Sequence, residues 1–223
     1  MIEANSYKQI LEHLNGFFKT NFSDKSTVRV IGLLFAPPHS ELAEKTIVPK
    51  MNYYHVRADF HLDIYCIGYG AYLPVDQFPD AIDAAKIQGV TWQYSDTVFD
   101  TLRQEIQKKT TWKFSGEVDF LLVSAIWDAK NGATTIDFSE SMVIVPDEAI
   151  LDKAIRSFPQ LFERICDQLQ TSNAKISTAN ISDMEGLKLL GRELVDALVE
   201  LLPSLLKSVW KKGLHFRTID LRR

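Results

Sequence analysis

The sequence predicts an α/β fold: a mixed four- to five-stranded sheet flanked by helices, with an additional C-terminal helix. Residues 28–35 form an apolar run rich in β-branched side chains, which stops at Ala36-Pro37-Pro38. A helical pattern follows from Ser40 towards Tyr54, and a second strand-like run over residues 60–67 ends in Gly68-Tyr69-Gly70. Strand, covering helix and strand make a βαβ unit, because parallel strands need a crossover of about a dozen residues or more. The other decisive observation is Asn131-Gly132 between two apolar runs, a strong hairpin signal.

Taken in order, residues 6–18 read as an amphipathic helix with Ile10, Leu11, Leu14, Phe17 and Phe18 at helical spacing. The first strand follows. In the crossover helix Leu42, Ala43, Ile47 and Met51 form the core-facing stripe, and Pro49, which lacks an N–H, is expected to kink it. In the second strand Leu62, Ile64 and Cys66 share one face, with His61, Asp63 and Tyr65 on the other. Residues 72–89 hold Pro74 and Pro79 and suggest a short helix over 81–87, before a short edge strand at 90–94. Ser95 or Asp96 then caps a helix carrying Phe99, Leu102 and Ile106. Strands at 118–127 and 134–145 flank the hairpin turn, and a helix over 148–169 with a kink at Pro159 follows.

The domain reading is an α/β domain over residues 1–170, a polar linker at 171–182 and a helical segment over 183–223. That last helix opens with a capping box at Ser182 and Glu185 and carries Leu187, Leu190, Leu194, Leu198, Leu201 and Leu205 as a stripe. Further leucines and valines widen the stripe past half the helix, so it must be covered by the same chain or by a second one. These six leucines are the candidate interface, for a protein partner or a homo-oligomer.

Composition is that of a globular protein, with 46% hydrophobic and 24% charged residues and a net charge of -4. No sequence-wide basic field exists, so nucleic acid, although possible locally, has no support. Asp196, Glu200, Pro203 and Lys207 interrupt the most apolar stretch, which excludes a membrane span. With no signal-like start and two cysteines a hundred residues apart, Cys66 and Cys166, the expectation is a cytoplasmic protein with buried free thiols and no cofactor.

Three clusters are candidate sites. Asp119, Asp128 and Lys130 match the carboxylate, carboxylate and lysine set with which a metal-dependent nuclease holds Mg²⁺ and polarises water. The turn chemistry around Asn131-Gly132 also accounts for the last two. His55, His61 and Asp63 could approach one another at the start of the second strand as metal ligands. His39, Ser40, Glu41, Gly68 and Gly70 lie where an open α/β sheet binds small ligands, beyond the carboxyl ends of its strands. Ser40 itself reads as the N-cap of the crossover helix. Aromatic residues read mainly as core, while residues 108–114, which mix lysines with Trp112 and Phe114, are a candidate contact surface. No phosphate loop, nucleophile elbow or zinc-protease motif occurs.

The order strand, helix, strand, helix, hairpin, helix resembles the thioredoxin-like arrangement, in which a βαβ half and a ββα half share one sheet; a three-layer α/β sandwich of other topology is the alternative. In a thioredoxin-like fold the redox cysteines follow the first strand, where this chain reads Phe35-Ala36-Pro37-Pro38-His39-Ser40-Glu41. Without a thiol there, disulfide exchange of that type is excluded. Residues 112–122, Phe35-Ala36-Pro37-Pro38 and Tyr53-Tyr54-His55-Val56-Arg57 resemble segments of uncharacterised bacterial proteins, some associated with anti-phage defence neighbourhoods. That resemblance covers the first two-thirds of the chain and transfers no functional residue. The expectation is a non-catalytic recognition, regulatory or assembly component of a bacterial complex, with a divergent nuclease or a small-ligand sensor as alternatives.

Overall fold

The computed structural model describes residues 1–59, 61–176 and 218–223. Strand β1 (Ile2–Ala4) leads into helix α1 (Tyr7–Asn21), whose N-cap Ser6 accepts a hydrogen bond from the Gln9 N–H and whose buried stripe is Ile10, Leu14 and Phe18. Strand β2 (Thr27–Phe35) is buried along almost its whole length, as a strand covered on both faces must be.

The crossover stays helical past Pro49 but changes pitch. Ala43–Ile47 is a π turn and Val48–Lys50 a 3-10 turn, followed by α2 (Met51–Ala58). The proline has no N–H for the i→i−4 ladder, so the hydrogen bonding is redistributed around it. Ala43, Ile47, Met51, Tyr54 and Ala58 keep one buried face throughout. Strand β3 (Asp63–Ile67) is shorter than the apolar run suggested, because Asp59 at φ 39° turns the chain and the His61 and Leu62 N–H groups donate to the Ala58 carbonyl.

Next come β4 (Tyr69–Gly70), β5 (Ile82–Ile87) and β6 (Val90–Tyr94), a second sheet in the order β4-β6-β5. The helix expected over 81–87 is therefore a strand. Gln88 and Gly89 both have positive φ, 49° and 82°, and close a two-residue turn that pairs Ile87 with Val90. This turn matches strand twist and overrides the helical propensity of Ala84, Ala85 and Lys86. Strand β6, expected at an edge, is the central strand of its sheet.

Helix α3 (Asp96–Lys109) is capped by Ser95, which accepts from the Val98 N–H, while Asp80 accepts from the Ser95 hydroxyl and the Thr97 N–H and pins the preceding loop to the helix start. Strands β7 (Asp119–Asp128) and β8 (Ala133–Ile144) form the long hairpin, with Asp128 opposite Ala133 and Gly132 at φ 61° in the turn.

The single kinked helix expected next is two helices, α4 (Pro146–Leu151) and α5 (Phe158–Ile176). The break lies at 152–157, and Pro159 sits in the first turn of α5, where its missing N–H deprives the helix of nothing. Helix α5 continues through Ile176, so the first half of the expected linker is helical; residues 183–212, with the candidate interface leucines, lie outside the described residues. Strand β9 (Thr218–Ile219) pairs antiparallel with β8.

The main sheet is mixed and six-stranded, in the order β1-β3-β2-β7-β8-β9. At its centre, β3 runs parallel to β2, β7 antiparallel to β2, and β8 antiparallel to β7. This is the βαβ plus ββα arrangement read from the sequence, extended by the short strands β1 and β9. Helix α1 packs beside α3, and α2 beside α5, where the Tyr54 ring meets Phe158 and Phe162 at 5.5 and 4.7 Å between centroids. Arg57 binds both Glu163 and Asp167 across that helix pair. Among the described residues no helix is long and apolar enough to cross a membrane.

Candidate functional site

Because β2 and β3 are parallel and β7 runs against them, with Phe35 paired to Asp119, the ends of β2 and β3 and the start of β7 meet at one rim of the sheet. Residues 36–41, 68–70 and 115–119 therefore converge, at the place where open α/β sheets admit ligands. Aromatic side chains of the chain itself fill that rim. The Tyr69 hydroxyl donates to the Ala36 carbonyl at 2.7 Å, and its ring lies 4.9 Å from that of Tyr94. Phe35 packs against Trp112 at 4.5 Å and meets Phe99 edge-on at 6.1 Å. Gly68 serves this packing: its φ is 86°, and a Cβ at this position would lie only 2.8 Å from the Phe99 Cβ and 2.9 Å from the Tyr94 ring, so no other residue fits.

Of the residues expected to hold a ligand, Gly68 and Gly70 are buried, Gly70 against Glu3 and Asn5. His39 and Glu41 are exposed, and Glu41 pairs with Lys45 at 2.7 Å. Ser40 is buried and its carbonyl accepts the Glu44 N–H, as an N-cap carbonyl does, but its hydroxyl makes no hydrogen bond among the described residues.

Asp119 stands beside this rim, 1% exposed. Its Oδ2 accepts from the Trp112 indole N–H at 2.8 Å and from the Ser115 N–H at 3.3 Å, while Oδ1 has no partner among the described residues. Burial pushes its pKa up, against the pull of those donors. A second acid of the same kind, Asp147, is raised by burial and by the nearby Glu117 carboxylate, and its Oδ2 is likewise unpartnered among the described residues. Sequence reasoning missed it, because its place in Pro146-Asp147-Glu148 is that of an ordinary helix start.

Asp128 and Lys130 lie at the far end of β7. Nine strand steps separate Asp119 from Asp128, about 30 Å at the usual rise. Asp128 accepts the Lys130 N–H at 2.9 Å and the Asn131 side-chain amide at 2.6 Å, so it shapes the hairpin turn. The three residues of the expected nuclease set do not share one site. In the expected metal set, Asp63 is bound to Arg29 at 2.8 Å, both side chains being 12% exposed. His55 Nδ1 lies 3.0 Å from the Met1 amino nitrogen, and burial, then that ammonium, hold the His55 pKa down. Among the described residues no three His, Cys, Asp or Glu side chains group to hold a metal ion.

In the contact surface expected at 108–114, Lys108, Lys109 and Lys113 are exposed while Trp112 is buried and Phe114 partly so, and Lys109 Nζ lies 4.7 Å from the Tyr7 ring centroid. Cys66 and Cys166 are buried free thiols, each pushed by burial to a pKa of about 12, which keeps them protonated and unreactive. In comparisons with known proteins, no family model, no curated protein and no solved structure matches this chain.

Proposed function

We propose that this chain is a non-catalytic recognition or assembly component of a bacterial cytoplasmic complex. The observation that supports it best is the packing of the strand-end rim, where Tyr69, Tyr94, Phe99 and Trp112 are buried against one another and against Phe35. The inserted sheet, by contrast, turns large apolar side chains outward, with Tyr72 85%, Val75 70% and Ile82 55% exposed. Tyr72, just past β4, and Ile82, at the start of β5, belong to one end of that sheet, since Gly70 and Asp83 both pair with Gln93. Exposed aromatic and aliphatic groups of this kind favour a protein partner. The leucine stripe from Leu187 to Leu205 is the second surface assigned to assembly. A role in phage defence is the form of the proposal that the resemblance of residues 112–122 suggests.

Light scattering and native mass spectrometry on the full chain, alone and co-expressed with the products of neighbouring genes, test it. The expected result is a complex heavier than the monomer, lost in Tyr72→Ser/Ile82→Asp or in Leu194→Glu/Leu198→Glu. A wild-type chain that remains a monomer under both conditions overturns the proposal.

A further inference from the structure

The turn that separates α4 from α5 brings three cations to one pocket. After Leu151 the chain reverses through hydrogen bonds from the Lys153 N–H to the Ile150 carbonyl, 3.0 Å, and from the Ala154 N–H to the Ala149 carbonyl, 2.7 Å. Lys153 adopts φ 57°, the left-handed conformation that favours glycine after a helix. The resulting pocket, about 240 Å³, is lined by Lys153, Arg156, Gln160 and Arg164, with Ile155 and Leu161 as its apolar wall. Gln160 and Arg164 are four residues apart on α5 and so share a face.

None of these three cations has a hydrogen-bonding or ion-pairing partner among the described residues. The other described arginines all do: Arg29, Arg57, Arg103 and Arg222 bind carboxylates, and Arg223 donates to the Thr110 carbonyl. In a chain with more acidic than basic residues, 29 against 25, the two described arginines with neither an ion pair nor a hydrogen bond among the described residues stand in the same pocket, beside a lysine that also has neither. Among the described residues no carboxylate lines it. Like charges so gathered raise the local positive potential, and the start of the 19-residue α5 adds the positive end of its dipole.

We propose that this pocket binds a small phosphate-bearing anion. Arginine forks match phosphate oxygens in pairs, and lysine supplies a point charge. The volume lies below the roughly 300–1,000 Å³ typical of drug-sized ligands, which limits the occupant to phosphate itself or a phosphomonoester on a short carbon body. Gln160 is placed to bind a hydroxyl of that body. Three cations in one concave site are too few and too localised to track a nucleic-acid backbone. None of the residues that line the pocket belongs to the two sets assigned to assembly, and its binding stands or falls without them.

Calorimetry and arginine side-chain NMR on the full chain test it, with inorganic phosphate, glycerol phosphate, and phosphatidylcholine vesicles containing phosphatidic acid as probes. Saturable binding of the soluble phosphates is expected, weakened roughly tenfold to a hundredfold in each of Arg156→Gln and Arg164→Gln, as loss of a charge-assisted hydrogen bond implies. Lys153→Gly separates binding from folding: it relieves the left-handed backbone, so affinity falls while the unfolding midpoint holds or rises. Binding that is absent for both soluble phosphates, unchanged in the two arginine variants, or confined to the vesicles overturns the proposal.

Discussion

At the scale of single residues, Asp119 is a buried carboxyl group with one oxygen hydrogen-bonded and the other bare among the described residues. Burial raises its pKa in the folded chain above the unfolded value, so the folded state holds the proton more tightly. The stability this confers is complete below the unfolded-state pKa and is lost as pH rises through the folded one. Asp119→Asn keeps an acceptor for the Trp112 indole and removes the titration. It should therefore be at least as stable as wild type at neutral pH, with a flatter dependence of Tm on pH above about pH 4. Asp119→Ala leaves the indole N–H unpaired and should cost about 1–3 kcal/mol. Thermal unfolding across that pH range distinguishes the two, and an unchanged slope in Asp119→Asn would assign the titration to Asp147. The sequence singled out Asp119 through its spacing to Asp128 and Lys130, but spacing along a strand places residues far apart, and what sets Asp119 apart is burial beside Trp112.

Among the elements, the contact of β2 with β7 rests on a glycine. A Cβ on Gly32 would lie 2.6 Å from Phe120 Cε2 and 3.0 Å from its Cζ, so the ring occupies the space the missing side chain leaves. Phe120 is fully buried and its ring lies 6.0 Å from that of Phe158 on α5, which limits its retreat. Gly32→Ala should then destabilise by about 1–3 kcal/mol through overpacking. Combining it with Phe120→Leu should cost less than the sum of the two single changes, a coupling that denaturant unfolding of the four proteins measures. Most element types were legible because their signals are local: the Ser6 and Ser95 caps, the apolar stripes of α1 and α3, and the hairpin turn at Gly132. The strand β5 was not, because its pairing depends on the positive φ of Gln88 as much as on its own residues.

For the molecule as a whole, residues 218–223 return to the main domain and act as a strap across it. Beyond the pairing of β9 with β8, the Leu221 N–H donates to the Phe138 carbonyl at 2.9 Å, and the Leu221 carbonyl accepts the Thr111 N–H at 2.7 Å. Arg223 donates to the Thr110 carbonyl at 3.0 Å. The Leu221 side chain is 3% exposed, so the strap joins β8 to the end of α3 through a buried anchor as well as through backbone bonds. Leu221→Ala should cost about 2–4 kcal/mol and raise hydrogen exchange at the Thr111 amide before the rest of the sheet is affected. Exchange that rises uniformly over the chain would show that the strap is no separate unit.

Patterning along the chain was enough to establish the α/β class, the βαβ and ββα halves, and the exclusion of thiol chemistry after β2, because apolar period, turn residues and the absence of a nucleophile are properties of neighbouring positions. What those elements enclose was settled by long-range packing. Periodicity could not show that Tyr69, Tyr94, Phe99 and Trp112 pack at the strand-end rim, that Arg29 occupies Asp63, or that Lys153, Arg156 and Arg164 line one pocket with neither an ion pair nor a hydrogen bond among the described residues. Each depends on which distant residues share a neighbourhood. Burial and electrostatic pairing act through space, and a pattern of neighbours along the chain records neither.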